Sequence, residues 1–157
     1  MVEFKKILFP VDLSSISPLL VDHALTMAHK FFSELHVLHV VRAFEPYQGD
    51  YVPSAKDMAL QAELMDSMRS SLQDFIDKHL SDYPALKSAL TSGHTAREIL
   101  QYIDDNGISL VVMGTHGRRG LDRVFFGSVA QRVVQTSPVP VMTVNPFREA
   151  TETRNDF

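Results

Sequence analysis

The stretch Gly114-Thr115-His116-Gly117-Arg118-Arg119-Gly120, followed by Gly127-Ser128, gathers residue types suited to holding an anion. Three of the chain's seven glycines lie in its first part, and a fourth ends it. Glycine lets backbone amides approach an anion without an intervening side chain, and it permits positive φ. If a helix opens at Ser128, its first amides lack intrahelical partners. Together with the helix dipole they make a phosphate site. The Ser128 hydroxyl can cap that helix or bond a phosphate oxygen, but not both fully. Arg118 and Arg119 can act as charge-assisted phosphate donors or stay solvated. His116 can bond a phosphate or simply turn the chain. The pattern is not a Walker loop, because no Gly-Lys-Ser/Thr follows a glycine pair. It is not the dinucleotide fingerprint either, because two residues separate its first two glycines. The plainer alternative is that these glycines only make tight turns.

A loop of this kind works only if a strand and a helix hold its ends. Ile108 to Met113 is a short apolar run that predicts a buried strand before it. Ser128-Val129-Ala130-Gln131 has a capping-box pattern and predicts a helix to about Thr136, stopped by Ser137-Pro138. The same alternation runs along the whole chain. Ile7 to Val11 is a strand candidate. Ser17 as cap and Pro18 in the first turn predict a helix to about Phe32. Leu35 to Val41 is a second strand, and residues 42 to 55 form a long loop broken by Pro46, Gly49 and Pro53. Residues 56 to 80 predict an amphipathic helix whose methionine-rich stripe is best explained by core packing. Leu86 to Thr91 is a weaker strand. Thr95-Ala96-Arg97-Glu98 reads as a second capping box, opening a helix that ends at Asn106-Gly107. Val139 to Val144 is the last strand, with residues 147 to 157 a polar tail. Strands alternating with helices imply an α/β domain built on a mostly parallel sheet covered on both faces. Ligands of such sheets bind beyond the carboxyl ends of the strands, where the strand order reverses.

The totals narrow the function. A chain of 157 residues fits one domain. With 45% hydrophobic and 22% charged residues it has an ordinary globular composition. A net charge of −4 argues against a broad nucleic-acid surface but not against a local anion pocket. There are no cysteines, which removes disulfides, thiolate metal sites and cysteine nucleophiles. No signal-peptide pattern and no membrane-spanning apolar run is present, so a cytoplasmic protein with no membrane partner is expected.

Gly114-x2-Gly117-x9-Gly127-Ser128 resembles the nucleotide-binding signature of the universal stress protein family. The resemblance covers nearly the whole chain. Ile7-Leu8-Phe9-Pro10-Val11-Asp12 is similar to the family's first strand, and Leu35 to Val40 to its second. Gly93 with Glu98-Ile99 matches a strand-to-helix turn, and Pro138-Val139-Pro140-Val141 the last strand. The resemblance implies a five-stranded parallel sheet of order 3-2-1-4-5 in one Rossmann-like domain spanning residues 1 to 146. It also implies binding of ATP or a related adenine nucleotide (AMP or ADP), with or without Mg²⁺. By the same resemblance Asp12 and Val40 flank the adenosine, Pro10 and Val11 line the floor, and Met113 and Gly114 lie beside the ribose. Gly117, Gly127, Ser128 and Val129 give phosphate contacts. It implies a homodimer through the last strand, Val139 to Val144. One departure is His94, where the family commonly has proline after the glycine.

Asp12 also stands out without the resemblance, because it follows a buried strand at a position where ligands bind. Its alternative is a turn residue bonding nearby amides. His36 and His39 are three apart, but on a strand that spacing points them to opposite faces, so no metal is expected there. Two functions follow: a nucleotide-binding regulator of the stress response, or a slow ATP hydrolase or phosphotransferase. The signature offers no obvious general base for the second. A dimeric interaction module without a nucleotide is the third alternative.

Overall fold

In the computed structural model of the chain, residues 1–42, 52–116 and 126–147 are described. Five parallel strands stand in the order β3-β2-β1-β4-β5. They are β1 (Lys6–Val11), β2 (Glu34–Arg42), β3 (Leu86–Gly93), β4 (Leu110–Gly114) and β5 (Val141–Val144). The helices are α1 (Val21–Phe31), α2 (Ala55–His79), α3 (Thr95–Asn106) and α4 (Ser128–Thr136). The last strand is an edge, as its proline-led sequence predicts. No helix among the described residues is long and apolar enough to cross a membrane.

Strand alternation divides the core into two layers. Ile7, Phe9, Leu35, Val37, Leu110 and Val112 face α1 and the carboxyl half of α2. Leu8, Leu38, Val40, Val111 and Met113 face α3 and α4. Most of these strand residues are fully buried, so both sheet faces are covered and the strands read as continuous apolar runs. The methionine stripe of α2 joins the core only in part. Leu72, Phe75 and Ile76 are buried, whereas Met58 is 64% exposed. Core packing therefore explains the carboxyl half of that stripe and not the amino half.

The helix starts differ from the sequence expectation at three places. Ser17 does not cap α1. It opens a single 3₁₀ turn, Ser17–Leu20, and α1 begins after it. Thr95 is already helical. The cap position belongs to His94, which makes no side-chain capping bond, and Glu98 instead accepts from the Thr91 hydroxyl at 3.1 Å. The residue before that cap, Gly93, has φ +151°, and a Cβ there would stand 2.6 Å from Glu98 Oε1. The turn thus needs glycine on both conformational and steric grounds. At α4, Gly127 occupies the cap position and Ser128 is the first helical residue, so the Ser128 capping box does not form. A capping box does form at α2, between Ser54 and Asp57. The usual pattern looks for Glu or Gln at the third position and passes over it.

Candidate functional site

The sheet splits at one end, and backbone chemistry explains where. β1 pairs with β2 from Lys6↔Glu34 to Val11↔His39. With β4 it pairs only at Ile7↔Leu110 and Leu8↔Val111. The Lys6 amide donates to Ser109 Oγ at 3.1 Å, and the Lys6 carbonyl accepts from the Ser109 amide at 2.9 Å. Alternate residues of a strand address the same neighbour, so Pro10 also turns its nitrogen toward β4. Proline has no N–H to give. The ladder stops before it, while both strands run on to Val11 and Gly114. These unpaired ends lie where the strand order reverses, the place at which sheets of this kind hold ligands in a crevice.

Six of the residues singled out from the sequence come together around this crevice. Pro10, Val11 and Asp12 close β1, Met113 and Gly114 close β4, and Val40 stands beside Asp12 by continuation of the β1–β2 register. Gly127, Ser128 and Val129 open α4 on the β4 side. The Gly127 amide donates to the Thr115 carbonyl at 2.6 Å, and the Thr115 amide donates to the Val144 carbonyl at 2.9 Å. Buried Thr115 therefore ties the start of α4 to the end of β5. Gly117 and Arg118 lie outside the described residues, as do Arg119 and Gly120.

Asp12 is held in a tight turn. Its Oδ1 accepts from the Ser14 amide (3.0 Å), the Ser14 hydroxyl (2.6 Å) and the Ser17 hydroxyl (2.8 Å). All three donors meet on one oxygen, so the turn fixes the direction of the carboxyl group. The opposite wall has the reverse polarity. Among the described residues no side chain caps α4, so its first amides and its dipole present positive potential. The site thus carries a fixed negative group on one side and a donor-rich helix end on the other.

The two described glycines of the loop do different work. At Gly114 a Cβ would meet Leu20 Cδ1 at 2.9 Å and the His116 carbonyl at 3.1 Å. That glycine makes room for Leu20 on the face tested, which is a packing reason rather than an anion-binding one. At Gly127 a Cβ would meet only the Thr115 carbonyl, at 3.3 Å, and the His116 Cα at the margin of contact, 4.0 Å. Reasoning from sequence takes Ser17 for a helix cap and assigns no site role to Thr115, Leu20 or Ser14. The serines carried a usable signal, since an Asp followed by Ser two residues on is a turn pattern.

The opposite end of the sheet holds a second polar group of side chains. His36, 1% exposed, shares Nε2 with Glu34 Oε1 at 2.6 Å and Nδ1 with the Tyr102 hydroxyl at 2.9 Å. Lys87 Nζ reaches the same Glu34 oxygen at 3.1 Å. The His36 bond first, and Lys87 second, hold the Glu34 carboxyl below its ordinary value. Burial pushes the Tyr102 hydroxyl up. His39 points to the other face, where Nδ1 lies 2.8 Å from the Val11 carbonyl. A carbonyl only accepts, so this nitrogen carries the proton. The two histidines share no ligand, as their strand spacing requires.

The family model of the universal stress protein family matches residues 3–145. The chain belongs to the universal stress protein family. This universal stress protein is 30% identical over 142 residues to universal stress protein MJ0531 of Methanocaldococcus jannaschii, covering 90% of this chain and 82% of that one. Its fold is similar to universal stress protein UspA from Lactobacillus plantarum, with TM-score 0.77 and 23% identity over 92% of this chain and 100% of the other. It also resembles a universal stress protein solved in complex with cAMP, with TM-score 0.58 and 19% identity over 92% of this chain and 99% of the other.

Proposed function

We propose that this universal stress protein binds an adenine nucleotide in the crevice between β1 and β4 and acts as a nucleotide-dependent regulator in the stress response. The observation that carries the reading is the opposed polarity of the crevice: the anchored Asp12 carboxylate faces one side and the uncapped start of α4 the other. Phosphates are repelled by the first and attracted by the second. A nucleoside brings hydroxyl and amino donors that a carboxylate accepts. A nucleotide lying with its nucleoside at Asp12 and its phosphates at Gly127 to Val129 satisfies both walls. Pro10, Val11, Val40, Met113 and Gly114 would then line the nucleoside end, with Gly117 and Arg118 completing the phosphate end. The relative crystallised with cAMP supports an adenine ligand. ATP is the ligand we favour over ADP and AMP. Among the described residues no group of three His, Asp or Glu side chains is placed to hold a metal, so Mg²⁺ would arrive on the phosphates. A ligand drawn from the ATP pool implies a cytoplasmic protein. β5, a short edge whose side chains are half-buried, suits pairing with a second copy.

The test is to denature purified protein, identify the nucleotides it releases, and titrate ATP into stripped wild type and Gly127→Val by calorimetry. Wild type should release and rebind an adenine nucleotide. The valine presses on the Thr115 carbonyl and obstructs the helix start, so its binding should be lost. No released nucleotide and no heat from wild type would sink the reading.

A further inference from the structure

The side chains that hold Asp12 lie outside the crevice, and their arrangement has no explanation in helix formation. Ser17 is 2% exposed and begins the 3₁₀ turn. The cap position belongs to Ile16, so the Ser17 hydroxyl is not a cap, and it points backward to Asp12 Oδ1 at 2.8 Å. Between Asp12 and Ser14, Leu13 adopts φ 57°, a left-handed conformation that a branched apolar residue rarely takes. That conformation brings the Ser14 amide and hydroxyl onto the same oxygen. Strain of this kind persists where surrounding structure requires one geometry. The turn then ends at Leu20, whose Cδ1 occupies the space beside Gly114 at the end of β4. One four-residue turn therefore grips the carboxylate of one wall and packs against the strand of the other.

We infer that Ser17, supported by Ser14, is a positioning residue for nucleotide recognition: it holds the Asp12 carboxylate aimed, and so acts on the ligand only through Asp12. The inference rests on the adenine-nucleotide reading given above. It predicts a specific coupling. Removing the Ser17 hydroxyl weakens binding only while Asp12 is a carboxylate.

Calorimetric titration of ATP into stripped wild type, Ser17→Ala, Ser17→Thr, Asp12→Ala and the double variant Asp12→Ala/Ser17→Ala tests this, with circular dichroism confirming that each is folded. Ser17→Ala should raise the Kd about tenfold, the scale of one lost charge-assisted bond. Ser17→Thr keeps the hydroxyl and should restore binding to near wild type. In the Asp12→Ala background, where the acceptor is gone, the Ser17 change should add nothing further. If Ser17→Ala does not fold, Ser14→Ala serves in its place, with a smaller loss because the Ser14 amide remains. Equal losses in both backgrounds would show that Ser17 acts through packing, and unchanged affinity would show that it does not act at all. Either overturns the inference while leaving the nucleotide reading intact. Failure of wild type to bind ATP would overturn both.

Discussion

The two ends of the sheet both bear polar side chains, and they use them oppositely. At the amino end Glu34, His36, Lys87 and Tyr102 satisfy one another within a closed ladder, with β1 and β4 paired beside them. At the carboxyl end the ladder has stopped, with Asp12 following β1 and the start of α4 following β4 in the chain. A polar group whose partners all come from its own fold mainly fixes structure. On the reading proposed above, the polar groups beside the unpaired strand ends are the ones left for a ligand. The distinction rests on where the strands part rather than on residue type, since each end has one carboxylate held by neighbouring donors.

Substitutions at each end can break or sharpen that contrast. The largest effect is expected from Asp12→Ala, which removes the charged acceptor at the open end. ATP affinity should fall about tenfold to a hundredfold by calorimetry. Gly114→Val comes next. The added atoms collide with Leu20 and the His116 carbonyl, and urea unfolding should show a loss of about 1–3 kcal/mol. Tyr102→Phe, at the closed end, leaves a buried His36 nitrogen without its partner and should cost about 1–2 kcal/mol in the same assay. Its ATP affinity should equal that of wild type. A changed affinity would mean that the two ends are not independent. The smallest effect concerns pH. The folded Glu34 carboxyl titrates below its unfolded value, so its contribution is fully present above the unfolded pKa. It is lost as pH falls through the depressed folded pKa. Lys87→Met should flatten that acid limb in urea titrations, and only slightly, because Glu34 and Lys87 are both partly solvated.

Much of this architecture was legible in the sequence, and the misreadings share a cause. The alternation of apolar runs with helical periodicity predicts each strand and α-helix found among the described residues, because each buries one face or both in the core. The family resemblance added the strand order. The helix starts were misread because a capping pattern is a local rule, while the partners came from elsewhere in the fold. Glu98 turned to Thr91 on the preceding strand, and Ser17 to Asp12. The α2 stripe has one period along its length, but periodicity does not report where the sheet ends. Gly114, which the resemblance puts beside a ribose, has in its neighbour Leu20 a packing reason that the sequence does not display. His36 announced itself only as a histidine on a strand. Its partner Tyr102 is sixty-six positions away, and no spacing rule links them.

The missing amide of Pro10 also has a mechanical side. A sheet resists bending along lines crossed by many hydrogen bonds, and β1–β4 is crossed at only two residue pairs, both at one end. The line is therefore the least bonded seam of the sheet, with β3, β2 and β1 on one side and β4 with β5 on the other. Hydrogen exchange should register it as faster exchange along the inner margins of the two parts than within them.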